Sequence, residues 1–333
     1  MDRLRGRGRS LSLAVLLFLG LGALVIGGFP EKPKEEVSLI FDEPAGRMTV
    51  LVGGREAVAY LYGQGLDLPH YWPMRSPSGK NMLVQKTEPY PHHRSFWFAD
   101  TVRPEGSERD VSFYNALYGG VKTEAGDYAP PFRDRIRHQS FRRLDARDGR
   151  ADIETQLVWE MDAGRPVLDE RRRLVVHSLG AGEYLLDLTW TLTASQGDVC
   201  FTSDDVHYAW PFLRLDPAFS GERGGKITAD TGAEGQEATN MKPALWIDYS
   251  NTVEGILEGV ALFQWPDGRK HRWLTREYGT FGPRRPDDRS GKPFTLKKGE
   301  SISQRVGVLV HNGDTDGGRV RERYNKYVRG VWK

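Results

Sequence analysis

The chain has 333 residues, of which 38% are hydrophobic, 28% charged and 11% aromatic, with 38 Gly and 19 Pro. That composition excludes a disordered tail and leaves material for one large core. The formal net charge is +2, but outside the first 28 residues 43 basic side chains face 44 acidic ones, which excludes a generally basic nucleic-acid surface. Cys200 is the single cysteine, so no intrachain disulfide framework or cysteine-rich metal site can form.

Arg3, Arg5, Arg7 and Arg9 precede an uncharged, largely apolar run from Leu11 to Ile26. A basic start, an apolar middle and small residues at the exit are the pattern of an export signal. Residues 1–28 are therefore read as a signal peptide or an N-terminal anchor, with Ile26 and Gly28 able to occupy the −3 and −1 cleavage positions. The run falls short of the about 20 residues of a full membrane span. Membrane contact is expected only through this segment if it is retained, and the protein is expected to be exported, periplasmic or extracellular. No cysteine follows the run, which excludes a lipoprotein. Residues 29–36 read as a charged linker and 37–333 as a single domain.

Beyond the linker, short apolar or alternating runs recur between Gly, Pro and Asp clusters, the pattern of antiparallel strands. Strands are predicted at 37–41, 48–52 and 57–62, then at 153–159, 171–177, 184–193 and 199–202, and finally at 244–249, 259–264 and 301–309. In 186–192 apolar and polar residues alternate strictly, so one face is buried and the other is wet. The stretch from Asp314 to about Val328 has helical composition, with Asp314 as the expected N-cap. No phosphate-binding glycine motif and no βαβ alternation is present. The prediction is an all-β protein, a large antiparallel β-sandwich with a short C-terminal helix. That architecture commonly binds a ligand, often a sugar, across a concave face.

Four stretches could carry chemistry. His92 and His93 stand between Pro91 and Arg94, with Trp97 close by, and histidine both moves protons near neutral pH and ligates metals. The alternative is a structural loop whose histidines bond backbone carbonyls. On a strand, Asp205 and His207 share a face, a pairing that orients an imidazole or shares a cation. A surface ion pair worth under about 1 kcal/mol would look the same. Arg214 lies just downstream, and Asp248 sits in a third stretch, Trp246-Ile247-Asp248-Tyr249. A fourth carries Arg276 and Tyr278, which share a face if extended. Aromatic rings beside arginines and carboxylates suit sugar recognition, and equally a packed β core with a charged rim.

Several of these stretches, in this order, resemble one family. Pro91-His92-His93-Arg94-Ser95-Phe96-Trp97-Phe98-Ala99 is similar to its PHHRxLWxA motif, and Asp205-x-His207-x-Ala209 with Arg214 is similar to a DxxHAGxxxR segment in shifted spacing. Trp246-Ile247-Asp248-Tyr249-Ser250 is similar to WVDYSG, and Arg276-Glu277-Tyr278-Gly279-Thr280-Phe281 to RDYGLF. The chain thus resembles, over roughly residues 40–330, the PmoA-like bacterial proteins labelled "methane oxygenase PmoA". A methane monooxygenase subunit needs several membrane spans and this sequence has at most one, so the label is not taken as an activity. The resemblance implies an exported β-sandwich akin to galactose-mutarotase-like folds and a glycan-related role. Gln264-Trp265-Pro266 and Trp273-Leu274 stand where the family pattern carries histidines.

The expectation that follows is a sugar-acting hydrolase, lyase or epimerase. His92, His93, Asp205 and His207 would be catalytic. Arg94, Trp97, Arg214, Asp248, Arg276 and Tyr278 would hold the carbohydrate ligand. A non-catalytic glycan-binding protein is the first alternative. The second is an enzyme dependent on a divalent metal held among His92, His93, His207 and Asp205.

Overall fold

A computed structural model describes residues 32–202 and 208–332. Two eight-stranded sheets face each other, and every strand pair in them is antiparallel. The first sheet runs, in spatial order, Val37–Asp42, Arg47–Val52, Arg55–Leu61, His70–Met74, Phe96–Trp97, Phe212–Arg214, Thr280–Pro286 and His271–Thr275. The second runs Arg135–Arg147, Arg150–Met161, Arg165–Gly180, Glu183–Thr193, Ser301–Asn312, Ile256–Gln264, Trp246–Val253 and Lys226–Ala229. The predicted all-β sandwich is the observed architecture.

Alternation decides which side chains meet between the sheets. In Glu183–Thr193 the residues Leu186, Leu188, Trp190 and Leu192 are buried, while Asp187, Thr189 and Thr191 face outward. Leu174 lies opposite Leu188 and Arg172 opposite Trp190, so the neighbouring strand presents the same face. The core therefore takes in an ion pair, Arg172 Nε to Glu170 Oε1 at 2.6 Å, with Trp159 Nε1 donating to Glu170 Oε2 at 2.8 Å. Burial of that kind is tolerable only because each charge has its partner.

The C-terminal helix spans Val320–Val328 and starts after Arg319, not at Asp314. Asp314 instead accepts from the Gly317 amide and closes the turn before the helix. Val320, Tyr324 and Tyr327 pack on Leu185, Phe263 and Leu309, covering part of the second sheet's outer face. Residues 32–36, expected as a linker, are tied down. Lys32 pairs with Glu183 at 2.9 Å, and the Glu35 amide donates to Ser178 Oγ at 2.8 Å. Residues 1–28, the export-signal expectation, lie outside the described residues. Among the described residues no helix is long and apolar enough to cross a membrane.

Phe212–Arg214 and Thr280–Pro286 approach closely because Gly282 carries no side chain. A Cβ there would stand 2.0 Å from the Pro211 carbonyl oxygen. Gly282→Ala should therefore destabilise the protein by about 1–3 kcal/mol, the usual cost of overpacking. Thermal melts followed by circular dichroism would measure it, and an unchanged midpoint would refute the steric account.

Candidate functional site

Phe96 and Trp97 are neighbours on one strand and so point to opposite faces. Phe96 packs inward on Tyr71, with ring centroids 5.4 Å apart, and Trp97 packs outward on Phe212 at 4.8 Å. Arg214, two residues after Phe212, shares that outer face. Around it gather His92, His93 and Tyr90 from the loop before Phe96, Tyr114 and Tyr118 from the segment 113–118, and Tyr278 from the turn before Thr280.

The hydrogen bonds define what each group can do. Arg214 Nη1 donates to His93 Nδ1 at 2.7 Å, and Nη2 donates to Thr87 Oγ1 at 3.1 Å. A guanidinium can only donate, so His93 Nδ1 is the accepting nitrogen and the neutral ring carries its proton on Nε2. That nitrogen meets Tyr114 Oη at 2.5 Å. Both His93 nitrogens are thus committed to holding Arg214 and Tyr114. His92 differs: Nδ1 bonds Tyr118 Oη at 2.9 Å, and Nε2 has no partner among the described residues.

Electrostatics keep both imidazoles neutral. Burial, reinforced by His92, Arg214 and Arg94, pushes the His93 pKa down to about 3. Burial, with Arg94 and Arg214 beside it, lowers His92 to about 4. Arg214 is only 6% exposed and pairs with no carboxylate among the described residues. Burial pulls its own pKa below the usual guanidinium value. The Tyr278 and Tyr90 rings stand 5.4 and 5.8 Å from its guanidinium carbon and form a cation–π cage around it.

The expected residues are only partly brought together. His92, His93, Arg214 and Tyr278 converge. Trp97 lies under His93 and Phe212 as a buried floor, with no surface for a ligand. Arg94, expected to hold ligand, is buried in an ion pair with Asp67 and donates to the Pro91 carbonyl. Arg276 donates to Asn240 Oδ1 at 2.8 Å and to the Thr275 carbonyl, away from the histidines. Asp248, also expected at the ligand, sits on the second sheet, fully buried against His311 Nε2 at 2.8 Å and Thr315 Oγ1 at 2.7 Å. Asp205 and His207 lie outside the described residues. Tyr208, just after them, stacks on Tyr114 at 4.4 Å.

Tyr90, Tyr114, Tyr118 and Thr87 are not among the expected site residues. Tyr114 precedes and Tyr118 lies within the short turn Ala116–Gly119, a segment with no strand periodicity to attract notice. Among the described residues no group of three or more His, Cys, Asp or Glu side chains is placed to hold a metal ion. His93 could ligate one only by releasing Arg214 or Tyr114.

Solved structures of similar fold include the GH36 α-galactosidase AgaA of Geobacillus stearothermophilus, at 11% identity and TM-score 0.39, covering 85% of this chain and 42% of that one. A polysaccharide lyase matches at 11% identity and TM-score 0.38, over 80% of this chain and 34% of that one. Galactose 1-epimerase from Lactobacillus acidophilus NCFM matches at 9% identity and TM-score 0.36, over 84% of this chain and all of that one. This chain spans about two fifths of the α-galactosidase's length. No curated protein matches it in sequence. Residues 47–325 match the model of the Family of unknown function (DUF6807), and the chain belongs to that family.

Proposed function

We propose that this protein is an exported, carbohydrate-acting enzyme whose ligand is a saccharide bearing a carboxylate, bound on the outer face of the first sheet. One observation carries the reading: a buried guanidinium, Arg214, is held in place by His93 and Thr87 and lacks a carboxylate partner among the described residues. A uronate carboxylate would complete its charge, and Tyr90 and Tyr278 would lie against the sugar ring.

The chemistry that suits this arrangement is removal of the proton next to a carboxylate. His92 Nε2 takes that proton. The electron pair left on carbon spreads into the carboxylate, and Arg214 meets the added charge. Return of a proton to the opposite face gives epimerisation. Loss of the neighbouring oxygen substituent, protonated by a phenol such as Tyr278, gives elimination. Carboxylate binding also offsets the positive charge of Arg214, which raises the His92 pKa toward a useful range.

The test compares binding of digalacturonate and of cellobiose to the full chain by calorimetry, then follows polyuronate turnover by the absorbance of unsaturated product and by epimer analysis. Preference for the acidic disaccharide, at least tenfold (about 1.4 kcal/mol), and loss of the first-sheet site for it in Arg214→Gln are expected. His92→Gln should bind but not turn over. Equal binding of both sugars, or an unaffected Arg214→Gln variant, would overturn the proposal. A second reading, a binding protein without turnover, is favoured by the engagement of both His93 nitrogens and predicts that His92→Gln changes nothing.

A further inference from the structure

The outer face of the second sheet holds a separate feature. Where the C-terminal helix leaves that face open, a cavity of about 510 Å³ lies between four strands and the segment after the helix, lined by Arg150, Arg173, His177, Arg305 and Trp332 among others. Register explains the grouping. Arg150 pairs with His177, Arg173 with Thr189 and Thr189 with Arg305, so all five side chains stand on one face.

The charges there do not balance. Arg143, Arg150 and Arg173 share one carboxylate, Asp152, at 3.4, 3.0 and 2.7 Å. Arg305 pairs with Asp187, and Glu154 lies 3.8 Å from the neighbouring Arg171. Lys34 adds a further positive charge near His177. Two polar groups are left over. The Arg150 Nε is buried without a hydrogen-bond partner among the described residues. His177 is 5% exposed, lines the cavity, and its side chain makes no hydrogen bond among the described residues. Unmet donors beside surplus guanidinium groups are what an oxyanion satisfies.

The space is far larger than a bare ion needs and falls within the range of small-molecule sites. Val175, Leu185 and Trp332 give it an apolar wall. We propose that this cavity is a second ligand site, independent of the Arg214 cluster, for a sugar-sized molecule carrying a carboxylate or a sulfate ester. The oxyanion would lie against Arg150, Arg173 and His177, with the ring on Trp332.

Calorimetric titration of the full chain with glucuronate, glucose 6-sulfate, inorganic sulfate and glucose tests this. The Arg150→Gln, Trp332→Ala and Arg214→Gln variants are titrated alongside. The two sugar anions should bind to wild type and still occupy one site in Arg214→Gln. Arg150→Gln should weaken that site at least tenfold. Trp332→Ala should weaken the sugar anions and leave inorganic sulfate unaffected. Glucuronate and glucose 6-sulfate tell the two anion sources apart. Sulfate binding as tightly as the sugar anions, or no binding at all, would overturn the proposal. Binding abolished by Arg214→Gln and indifferent to Arg150→Gln would also overturn it, and would assign the ligand to the first sheet.

Discussion

Glu170→Ala is expected to lower the unfolding free energy by about 3–5 kcal/mol, the usual cost of stranding one member of a buried ion pair. Glu170 and Arg172 are almost wholly buried between the sheets, and the Arg172 guanidinium lies 5.0 Å over the Phe98 ring. Removing the carboxylate strands that guanidinium and the Trp159 indole donor together. Glu170→Gln keeps an acceptor for Trp159 and should cost less. Replacing both ends, Glu170→Leu with Arg172→Met, should recover much of the loss, because no unpaired charge then remains. Urea unfolding of the four proteins decides it: a loss below about 1 kcal/mol in Glu170→Ala would show that the pair is not holding the core.

Acid should destabilise the fold through its histidines. His70, His92, His138 and His177 have pKa values lowered to about 4, and His93 to about 3, in each case chiefly by burial. The unfolded chain takes up these protons near pH 6.5, the ordinary histidine value. Between about pH 6.5 and 4 the unfolded state thus binds more protons, so stability rises with pH in that window and is lost as pH falls. For His70, which is 1% exposed, the full effect is on the order of 3 kcal/mol at about 1.4 kcal/mol per pKa unit. The Leu68 carbonyl and Gln85 Oε1 accept from its ring and by themselves favour the charged form, so the lowered value comes from burial, reinforced by Arg94. Urea midpoints measured across the window should fall toward the acid side and level off above it. His70→Gln should flatten part of the slope. Midpoints that hold steady down to pH 4 would contradict the burial account.

The strand pattern was legible because burial on a pleated sheet has a period of two. The run Leu186 to Leu192 announced both its state and its inward face, and the structure places those leucines in the core. The helix start was misplaced because Asp314 has the chemistry of a cap, and it does cap a turn, one that ends before the helix begins. The segment 113–118 offered no period, so Tyr114 and Tyr118 went unread although they bond both histidines.

Sequence alone determined the class of fold, the inward face of the strand through 186–192 and a short list of chemistry-bearing residues, since these follow from local periodicity and residue type, whereas the long strand Arg135–Arg147 went without a prediction. Only the tertiary structure decided how that list divides. His93 and Arg94 are adjacent in the chain, yet one holds Arg214 while the other is sealed against Asp67. Asp248 and Arg214 look equally suited to a ligand, yet Asp248 is spent on His311, 63 residues away in the chain. Arg150, His177 and Arg305 are scattered along the chain, and only strand register brings them together. The physical reason is the same in each case. A side chain's availability depends on the partner it meets, and in an antiparallel sandwich those partners come from strands distant in sequence.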